Sequence, residues 1–553
     1  MGMATDTAHS RFGALPLAVA SFAALQALTA NAQVPSGYAT ESASPAASSI
    51  VPAEVGTGSE TAQPGAEESR PQASRLRRWQ IVPRIAWSET YSDNVARTDA
   101  ATADSGWITF LAPGISLRGA GPRVQGYFDY ERDQYAYSRH SELDSGQNYL
   151  DSFVTVEALQ NWLFVDGRAR IVQVNTSPFG SSATDTPGFN PNRTETSVVQ
   201  LSPYVRGVLG GEALYQLRFS AVGSHASGDV VPDTTTQQWL GRVQNTPGGH
   251  AFGWAVDGSH LVVRNATINE QQDSRVRASL IYAPHWTLRV AAYGGVEDTD
   301  LGGTTRERTN TPGFGVEWSP GARTQFAAVA ERRFFGTGHN LTFSHRTPRI
   351  ALRYVDEKDV STLPGRLATG GSSISNMMAD LLAASVPDPT KRADAVRDRL
   401  ERTGAAQYAP ASTGYLTTQP TLLARRELSL AMLGKTNTVT LIGSRNEQQV
   451  LSPASVPIDP ATAASAIRQY GLSASWAHQL SPRSSITLAA TNSQSKDPTS
   501  SLGSRQRTVR LDLFRSVGRR TSLSLGARRI KFDSDFASGY VENAAVFSAG
   551  MHF

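Results

Sequence analysis

Charged side chains recur at every second position in several segments of the sequence, and apolar side chains fill the positions between them. In VQGYFDYERDQY, Asp129, Glu131 and Asp133 alternate with Phe128 and Tyr130. A period of two is typical of a β-strand whose two faces meet different surroundings. Carboxylates and guanidinium groups on one such face can bind ions, hydroxyl-rich solutes or one another.

The candidate polar-face residues carry both signs of charge. They are Asp129, Glu131, Asp133, Arg168, Arg170, Arg218, Arg277, Arg289, Glu317, Arg510 and Asp512. Inside a closed sheet, such a mixed lining could guide a sugar chain or small solutes. Large barrels also fill polar interiors with ion pairs and water, so a purely structural role is the alternative.

These faces belong to a series of predicted hairpins that runs from Trp79 to Phe553. Val509, Leu511 and Leu513, for example, alternate with polar residues. Tight connectors such as GAGP at 119–122 and SPR at 481–483 alternate with long polar ones such as 177–193 and 357–420. Short periplasmic turns and long outer loops are typical of a membrane barrel. The sequence therefore predicts an all-β, transmembrane, antiparallel up-and-down outer-membrane β-barrel of about 22 strands.

Composition excludes several other classes of protein. The 553 residues include no cysteine, so there is neither a disulfide framework nor a thiolate metal site,. The formal net charge of +4, with both signs interspersed, gives no reason to expect a nucleic-acid partner,. No run approaches the roughly 18 apolar residues of a membrane-spanning helix.

The N-terminal region predicts export. Arg11 precedes the apolar run ALPLAVASFAALQAL, and Ala30-Asn31-Ala32 forms an A-x-A cleavage pattern,. We expect a signal peptide at 1–32, cleaved near Ala32, and a disordered periplasmic leader at 33–78, which lacks a periodic apolar face. The barrel would occupy 79–553 in the outer membrane of a Gram-negative cell, in contact with outer-membrane lipid.

The C-terminal segment YVENAAVFSAGMHF alternates up to its last residue. Phe553 and Met551 lie on the same face as Ala549. We expect this strand to pair with the first one, near WQIVPRIAWSETYSDN, and so to close the barrel. The aromatic ending also resembles the signal read by the barrel-assembly machinery, which makes that machinery an expected partner.

One connector has a different periodicity. Within 359–420, SSISNMMADLLAAS has apolar residues at helical spacing, including Met377, Leu381 and Leu382, and Asp388-Pro389 is typical of a helix start,. We expect a small helical insertion in an extracellular loop. It would be either a lid or partial plug over the lumen, or a cap packed on neighbouring loops.

Signals for catalysis or cofactor binding are weak. The sequence has no G-x-S-x-G, H-E-x-x-H or P-loop motif. His339 and His345 fall on one predicted hairpin, and EDTD at 297–300 lacks full calcium-ligand spacing,. We therefore expect neither an enzyme nor a cofactor or metal.

Three segments carry a family resemblance. WSETYSDNVA at 87–96, LTFSHRTPRIALRYVDE at 341–357 and DPTKRADAVRDRLERTG at 388–404 resemble parts of the outer-membrane proteins associated with the PEP-CTERM/exosortase system. The resemblance implies a role in exopolysaccharide export or assembly, with polysaccharide and export components as partners, and it supplies no catalytic residues. The alternatives are a general diffusion porin or solute channel and, from another class, an outer-membrane hydrolase.

Overall fold

A computed structural model describes most of the chain after residue 78. The described residues are 79–181, 190–229, 232–245, 251–265, 270–303, 305–369, 382, 416, 417, 419–451, 466–518 and 520–553. The expected signal peptide at 1–32 and leader at 33–78 lie outside them.

The described chain consists almost wholly of β-strand segments that pair antiparallel with their sequence neighbours. The first twelve segments are β1 Gln80–Ser92, β2 Gly106–Ala120, β3 Val124–Tyr137, β4 Ser145–Leu159, β5 Leu163–Asn175, β6 Arg193–Leu209, β7 Ala213–Ala226, β8 Thr234–Asn245, β9 Phe252–Asn265, β10 Gln271–His285, β11 Leu288–Thr299 and β12 Glu307–Asn310. The others are β13 Gly313–Gly321, β14 Thr324–Arg333, β15 Gly336–Arg346, β16 Ile350–Ser361, β17 Thr421–Leu433, β18 Asn437–Val450, β19 Ala466–Ser481, β20 Ser484–Lys496, β21 Gly503–Ser516, β22 Thr521–Ser534 and β23 Tyr540–His552.

Helical structure is minor among the described residues. The α-helix α1 spans Leu363–Thr369, and short 3₁₀ segments occupy Ser141–Leu143 and Ser227–Asp229. None of the described helices has the length and apolar character needed to cross a membrane.

The sheet closes on itself because β1 pairs with both β2 and β23. Across the seam between first and last strands, the antiparallel register runs from Arg84 opposite His552 to Ser92 opposite Ala544. Phe553 extends this pairing, since its backbone N–H donates to the Pro83 carbonyl at 3.0 Å. Closure satisfies the backbone groups that a free sheet edge would leave unpaired in lipid.

The 23 segments make 22 strands. Segments β12 and β13 both pair with β11 and form one strand interrupted at Thr311 and Pro312. Pro312 has no N–H to donate, and its carbonyl accepts from Arg332 at 2.9 Å on the other side,. The predicted antiparallel barrel of about 22 strands is therefore confirmed.

Alternation divides the side chains between the two surfaces of the sheet. On β21, Val509, Leu511 and Leu513 are exposed on the outer surface, with exposed fractions of 50%, 44% and 43%. Most other exposed large apolar side chains fall on the same outer face, as the pairing registers show. An apolar exterior and polar interior are what a lipid-embedded barrel requires.

Connector length differs between the two ends of the barrel. At what we term the short-turn end, the connectors have between two and six residues; Gly210 and Gly211, with φ of 60° and 78°, form one of these turns,. At the long-loop end they have five residues or more, apart from the Phe334-Phe335 turn between β14 and β15. Both chain ends of the barrel, Trp79 and Phe553, lie at the short-turn end.

The longest connector is the β16–β17 insertion, which we define as residues 362–420. Asp359, Val360 and Ser361, which the sequence assigned to the insertion, instead pair with Leu423, Leu422 and Thr421. The strand thus continues three residues beyond the predicted boundary.

Candidate functional site: the lumen and the insertion across its mouth

All eleven sequence-predicted polar-face residues lie on the inner face of the barrel. Directly opposed residues of an antiparallel pair share a face of the sheet. The pairing registers therefore show, from one strand to the next, which side chains lie on the inner face. Asp129 faces Asp151, which faces Arg170, and each lies on the side opposite the exposed apolar residues. The inner face therefore carries a mixed-charge lining.

An acidic and aromatic surface covers the inner side of β3 and β4. Arg84 binds Asp129 at 3.5 Å and Glu131 at 3.0 Å, and Arg118 binds Asp129 at 2.8 Å. Beside them, the rings of Tyr127 and Phe153 are 6.4 Å apart. This surface offers hydrogen-bonding groups next to flat apolar rings.

The acidic and aromatic surface continues toward β7. Arg218 binds Asp166 at 2.8 Å and lies 4.0 Å from the centre of the Tyr204 ring. Tyr204 stacks on Phe164 with ring centres 5.2 Å apart. We define the aromatic–ionic track as the inner-face residues Tyr127, Asp129, Phe153, Phe164, Asp166, Arg168, Tyr204 and Arg218.

An acid with one unpaired oxygen lies beyond this track on the inner face of β3. Asp133 is only 6% exposed, and although its Oδ2 accepts from Tyr135 at 3.1 Å, its Oδ1 has no hydrogen-bond partner among the described residues. Buried polar atoms are normally paired, with protein or with water. An acceptor buried this deeply is a position that an internal water normally satisfies.

A denser ion network lies on the inner wall from β9 to β16. Glu331 binds Arg275 at 2.5 Å and Arg277 at 2.9 Å. Arg333 binds Glu297 at 2.5 Å and Asp359 at 2.9 Å. Their side chains are mostly buried, so charge neutralisation within the network offsets the cost of removing them from water.

Four other predicted residues form two local pairs rather than joining this network. Arg510 binds Asp512 at 2.8 Å two positions along β21, and Arg289 lies 3.8 Å from Glu317. Only Arg277 of the predicted set belongs to the large network. Sequence reasoning missed Arg275, Glu297, Glu331 and Arg333, although Arg275 and Arg277, and likewise Glu331 and Arg333, occur at the alternate spacing that could have revealed them.

The two described ends of the β16–β17 insertion contact strands far around the barrel. Leu367 of α1 packs against Val198 and Val222 of β6 and β7, and against the buried cluster of Val174, Ala226 and Leu416. Its carbonyl accepts a hydrogen bond from Arg170 Nη1. Strands β16 and β17 lie about half the circumference from β5 and β6, so α1 reaches across the mouth at the long-loop end.

The C-terminal end of the insertion, just before β17, also reaches the β5–β7 wall. The Leu416 backbone N–H donates to the Asn175 carbonyl at the end of β5 at 3.0 Å, and the Leu416 side chain is 1% exposed in a cluster with Val174 and Ala226. Arg366 Nη1 also donates to Thr421 at 3.2 Å, which ties α1 to the start of β17. Both described ends of the insertion are therefore fixed to the β5–β7 wall.

The predicted lid residues are mostly beyond this description. Met377 and Leu381 lie outside the described residues, and so does the predicted charged helix after Asp388. Leu382 is described as half-buried. Whether these three residues cover the lumen stays a prediction.

The YSDN part of the first resembling segment, residues 91–94, lies at the barrel seam. Ser92 donates to Glu542 at 3.1 Å, and Asp93 accepts from the Asn543 backbone at 2.7 Å and from its side-chain amide at 2.6 Å. Asn94 donates to the Val541 carbonyl at 3.2 Å. These side chains join the first loop to the last strand.

The Ser-His-Arg-Thr residues lie at the short-turn end. His345 shares a 2.8 Å hydrogen bond with Thr324, and Arg346 donates to the Ala322 carbonyl at 3.0 Å. The Thr347 hydroxyl accepts from the Ile350 N–H at 3.0 Å within the turn. This segment fastens two neighbouring short turns to each other.

The sequence candidates for other chemistry do not converge in the lumen. His339 binds Asp356 at 2.9 Å, but the register places both on the outer face. Glu297 of the EDTD segment is bound to Arg333. In the part of the chain that the structure describes, no three His, Cys, Asp or Glu side chains gather as a metal site would require.

The predicted assembly residues lie at the short-turn end of the last strand. The side chains of Phe553 and Met551 are 58% and 41% exposed. Met551 is directly opposite Ile85 of β1. Their role in recognition stays a prediction.

Closed pairing, an apolar exterior and an ion-paired interior define a 22-stranded β-barrel of the outer-membrane type. No protein-family model matches the sequence. No curated protein matches it either.

Solved structures share the barrel architecture at low identity. The siderophore receptor PirA from Pseudomonas aeruginosa is 9% identical with a TM-score of 0.40, and the match covers 85% of this chain and 80% of that one. The FrpB iron transporter from Neisseria meningitidis is 9% identical with a TM-score of 0.45, covering 85% and 82%. The outer membrane protein opdK from Pseudomonas aeruginosa is 10% identical with a TM-score of 0.31, covering 86% and 99%.

Proposed function

We propose that this barrel is an outer-membrane conduit that takes part in exopolysaccharide export or assembly, in a system of the PEP-CTERM/exosortase type. The observation that carries the proposal is the aromatic–ionic track on the wall to which the β16–β17 insertion is fixed. The family resemblance of three sequence segments also supports a role in exopolysaccharide export or assembly. In this proposal the barrel has no catalytic role and acts by binding and passage.

The chemistry of the track suits a carbohydrate chain. Sugar hydroxyl groups donate to carboxylates such as Asp129 and Asp166 and accept from guanidinium groups such as Arg218, while sugar C–H faces pack on aromatic rings. Sites for neutral polar ligands combine such apolar surfaces with a few convergent polar groups. Tyr127, Phe153 and Tyr204 provide the surfaces, and the neighbouring ion pairs provide the polar groups.

The insertion supplies a means of control. Its ends occupy the mouth beside the track, where the Leu367 carbonyl accepts from Arg170 and the Leu367 side chain packs against Val198 and Val222. A chain leaving along β5–β7 would meet these contacts at the mouth, after passing the track. We expect the insertion to restrict passage until a substrate or partner displaces it.

The outward apolar face supports the outer-membrane location, with lipid as its surroundings and the barrel-assembly machinery as the partner during insertion. The short-turn end would face the periplasm, where export components could meet it. A general diffusion porin, the main alternative, has no need of an aromatic–ionic track or of an insertion fixed across its mouth. An outer-membrane hydrolase would need a nucleophile or an acid–base pair in the lumen.

Current blockade by a linear oligosaccharide tests the proposal directly. Maltohexaose added to single barrels in a planar bilayer should block the current for measurable times, because it stacks on the track. Tyr127→Ala should shorten the blockades at least fivefold. Tyr130→Ala is the matched control, since Tyr130 lies on the same strand but on the outer face.

Equal blockade times in wild type and Tyr127→Ala, at normal conductance, would contradict a sugar-binding track and favour a simple diffusion channel. Release of reducing sugar from the probe would instead favour the hydrolase.

Removing residues 362–420 tests control by the insertion. Ser361 and Thr421 are cross-strand partners, so an Asn-Gly link should join them as a tight hairpin. Conductance should then rise severalfold in a correctly folded barrel; unchanged conductance would exclude restriction by the insertion.

A further inference from the structure

The outer face of β17–β22 carries an unusual concentration of basic side chains just beyond the apolar surface, on the side of the long-loop end. We define the basic belt as the outward residues Arg426, Arg445, Arg468, Lys496, Arg505, Arg507, Arg529 and Lys531. The outward acids among them are Glu447 and Asp533, and Asp356 lies beside them on the neighbouring strand β16. Positive charge is thus in clear excess.

The strand registers place three pairs of like charges directly opposite each other. Arg426 faces Arg445, Arg468 faces Lys496, and Arg507 faces Lys531. Like charges in this position destabilise a sheet. Six strands therefore share a repeated arrangement that barrel stability alone does not favour.

Some of these charges are partly neutralised and others are not. Asp356 binds Arg426 at 3.1 Å, and Glu447 binds Arg445 at 2.5 Å and Arg468 at 2.7 Å. Within the described part of the chain, Arg507 and Lys496 have no carboxylate within ion-pair distance, and both are exposed. The belt therefore presents uncompensated charge to its surroundings.

The excess of positive charge is concentrated in one sector of the barrel. Outward basic residues at the same end of other strands lie beside acids, as Arg264 does with Glu270 and Arg308 with Asp298. Many outward positions at the same end of β4–β10 are uncharged, as at Asn148, Gln173, Ser197, Gln237 and Ser274. A general need for solubility at the membrane surface would not concentrate the charge on β17–β22. The restriction indicates a specific anionic neighbour.

The depth of the belt identifies that neighbour. Arg507 is two residues beyond the lipid-facing Val509, a rise of about 7 Å along the strand. A side chain at this position lies at headgroup level when Val509, Leu511 and Leu513 contact acyl chains. Arg and Lys clusters at this depth bind phosphate groups of anionic lipids.

We propose that the basic belt binds the phosphorylated headgroups of anionic lipid in the leaflet at the long-loop end. The paired cations bring two positive groups to each phosphate, and the phosphate relieves their mutual repulsion. The proposal requires membrane insertion but does not depend on what the lumen transports.

Native mass spectrometry of the full-length barrel in neutral detergent tests the proposal. Wild type should retain at least fivefold more diphosphorylated lipid A than the same lipid with its phosphates removed. Arg507→Gln combined with Lys531→Gln should reduce retention of the phosphorylated form at least fivefold. Arg515→Gln is the matched control, because Arg515 lies on the same face of β21 at the short-turn end, and it should retain as much as wild type.

A second measurement separates binding from folding. Without lipid, the double variant should keep or slightly raise the thermal unfolding temperature, because one repulsive pair has been removed; addition of diphosphorylated lipid A should raise it in wild type and much less in the variant. Equal retention of both lipids by wild type, or equal loss in the Arg515 control, would overturn the proposal. Inorganic phosphate that binds as tightly as the lipid would overturn the lipid assignment.

Discussion

Ser92 on the first strand donates a hydrogen bond to Glu542 on the last strand at 3.1 Å, across a sequence separation of 450 residues. The same carboxylate binds Arg97 at 3.1 Å and Arg528 at 2.7 Å, and its side chain is 1% exposed. A hydrogen-bonded ion cluster therefore reinforces the seam on its inner side, in addition to the backbone pairing. The seam is where a barrel built from one chain must find its final partner strand.

Replacement of Glu542 tests the contribution of this cluster. Glu542→Gln leaves two buried guanidinium groups without their shared counter-charge, which should cost about 3–5 kcal/mol. The temperature at which unboiled protein loses its compact migration in gel electrophoresis should fall. Glu307→Gln, an exposed carboxylate on β12, should leave that temperature unchanged. If both variants behave like wild type, the cluster does not stabilise the seam.

A charge on the lipid-facing surface should be tolerated only near its rim. Leu511→Arg places a guanidinium in the apolar face of β21 and should destabilise the inserted barrel by about 2–4 kcal/mol if it lies at the bilayer midplane. Leu209→Arg, at the short-turn end of β6, should cost about 0–1 kcal/mol by the same depth dependence. Urea unfolding in lipid vesicles measures both. An equal effect of the two substitutions would argue against the expected membrane position.

The crossing of the insertion can be fixed covalently. The Leu416 N–H donates to the Asn175 carbonyl at 3.0 Å, and backbone neighbours at this separation lie within the range that a disulfide can bridge. Because the chain has no cysteine, Leu416→Cys with Asn175→Cys should form a single disulfide under oxidising conditions. We expect conductance to remain low when oxidised and to become more variable after reduction.

Asn175→Cys alone is the control for that experiment and should not respond to reductant. A disulfide that forms without any effect of reduction on the current would show that release at Leu416 does not control passage.

His140 should make the first two long loops pH-dependent. Hydrogen bonds with Glu142 and then Asp104 raise the pKa of His140, and the bonds from His140 and nearby backbone lower the pKa of Glu142 and Asp104. The stabilisation that His140 gives to the contact between the two loops is complete below its usual pKa of about 6.5. It is lost as the pH rises through the raised pKa of His140. The contributions of the two acids are lost as the pH falls through their lowered pKa values.

The contact between these loops should therefore be strongest at pH values above the lowered pKa values of Glu142 and Asp104 and below the raised pKa of His140. Amide hydrogen exchange of residues 138–144, corrected for the intrinsic pH dependence of exchange, should show protection that declines in alkaline solution. In His140→Gln the alkaline decline should disappear. A decline of the same size in that variant would assign the effect to another group.

Removal of Phe553 should slow assembly more than it weakens the assembled barrel. Its backbone contributes one hydrogen bond, to Pro83, and its side chain is 58% exposed. If the assembly machinery reads the aromatic ring, Phe553→Ser should delay insertion in a pulse-chase experiment and Phe553→Tyr should not. Normal insertion kinetics of Phe553→Ser would show that the ring is not a signal.

Local pattern was sufficient to predict the barrel and the facing of its side chains. The alternation of Val509, Leu511 and Leu513 with Arg510 and Asp512 depends only on the two-residue period of a strand, which any segment carries independently of its partners. Connector lengths likewise follow directly from the sequence. For the same reason the eleven polar-face residues all lie on the inner surface.

The partners of those residues were decided by tertiary structure. Arg333 binds Glu297 and Asp359 because the strand registers and the tilt of the sheet place these residues of β11, β14 and β16 at the same height in the barrel. The sequence of a single strand does not determine that height. Leu367 reaches Val198 and Val222 because closure places β16 opposite β6 and β7. Opposition across a lumen, like the seam contact of Ser92 with Glu542, is a property of the closed ring and is absent from any single hairpin.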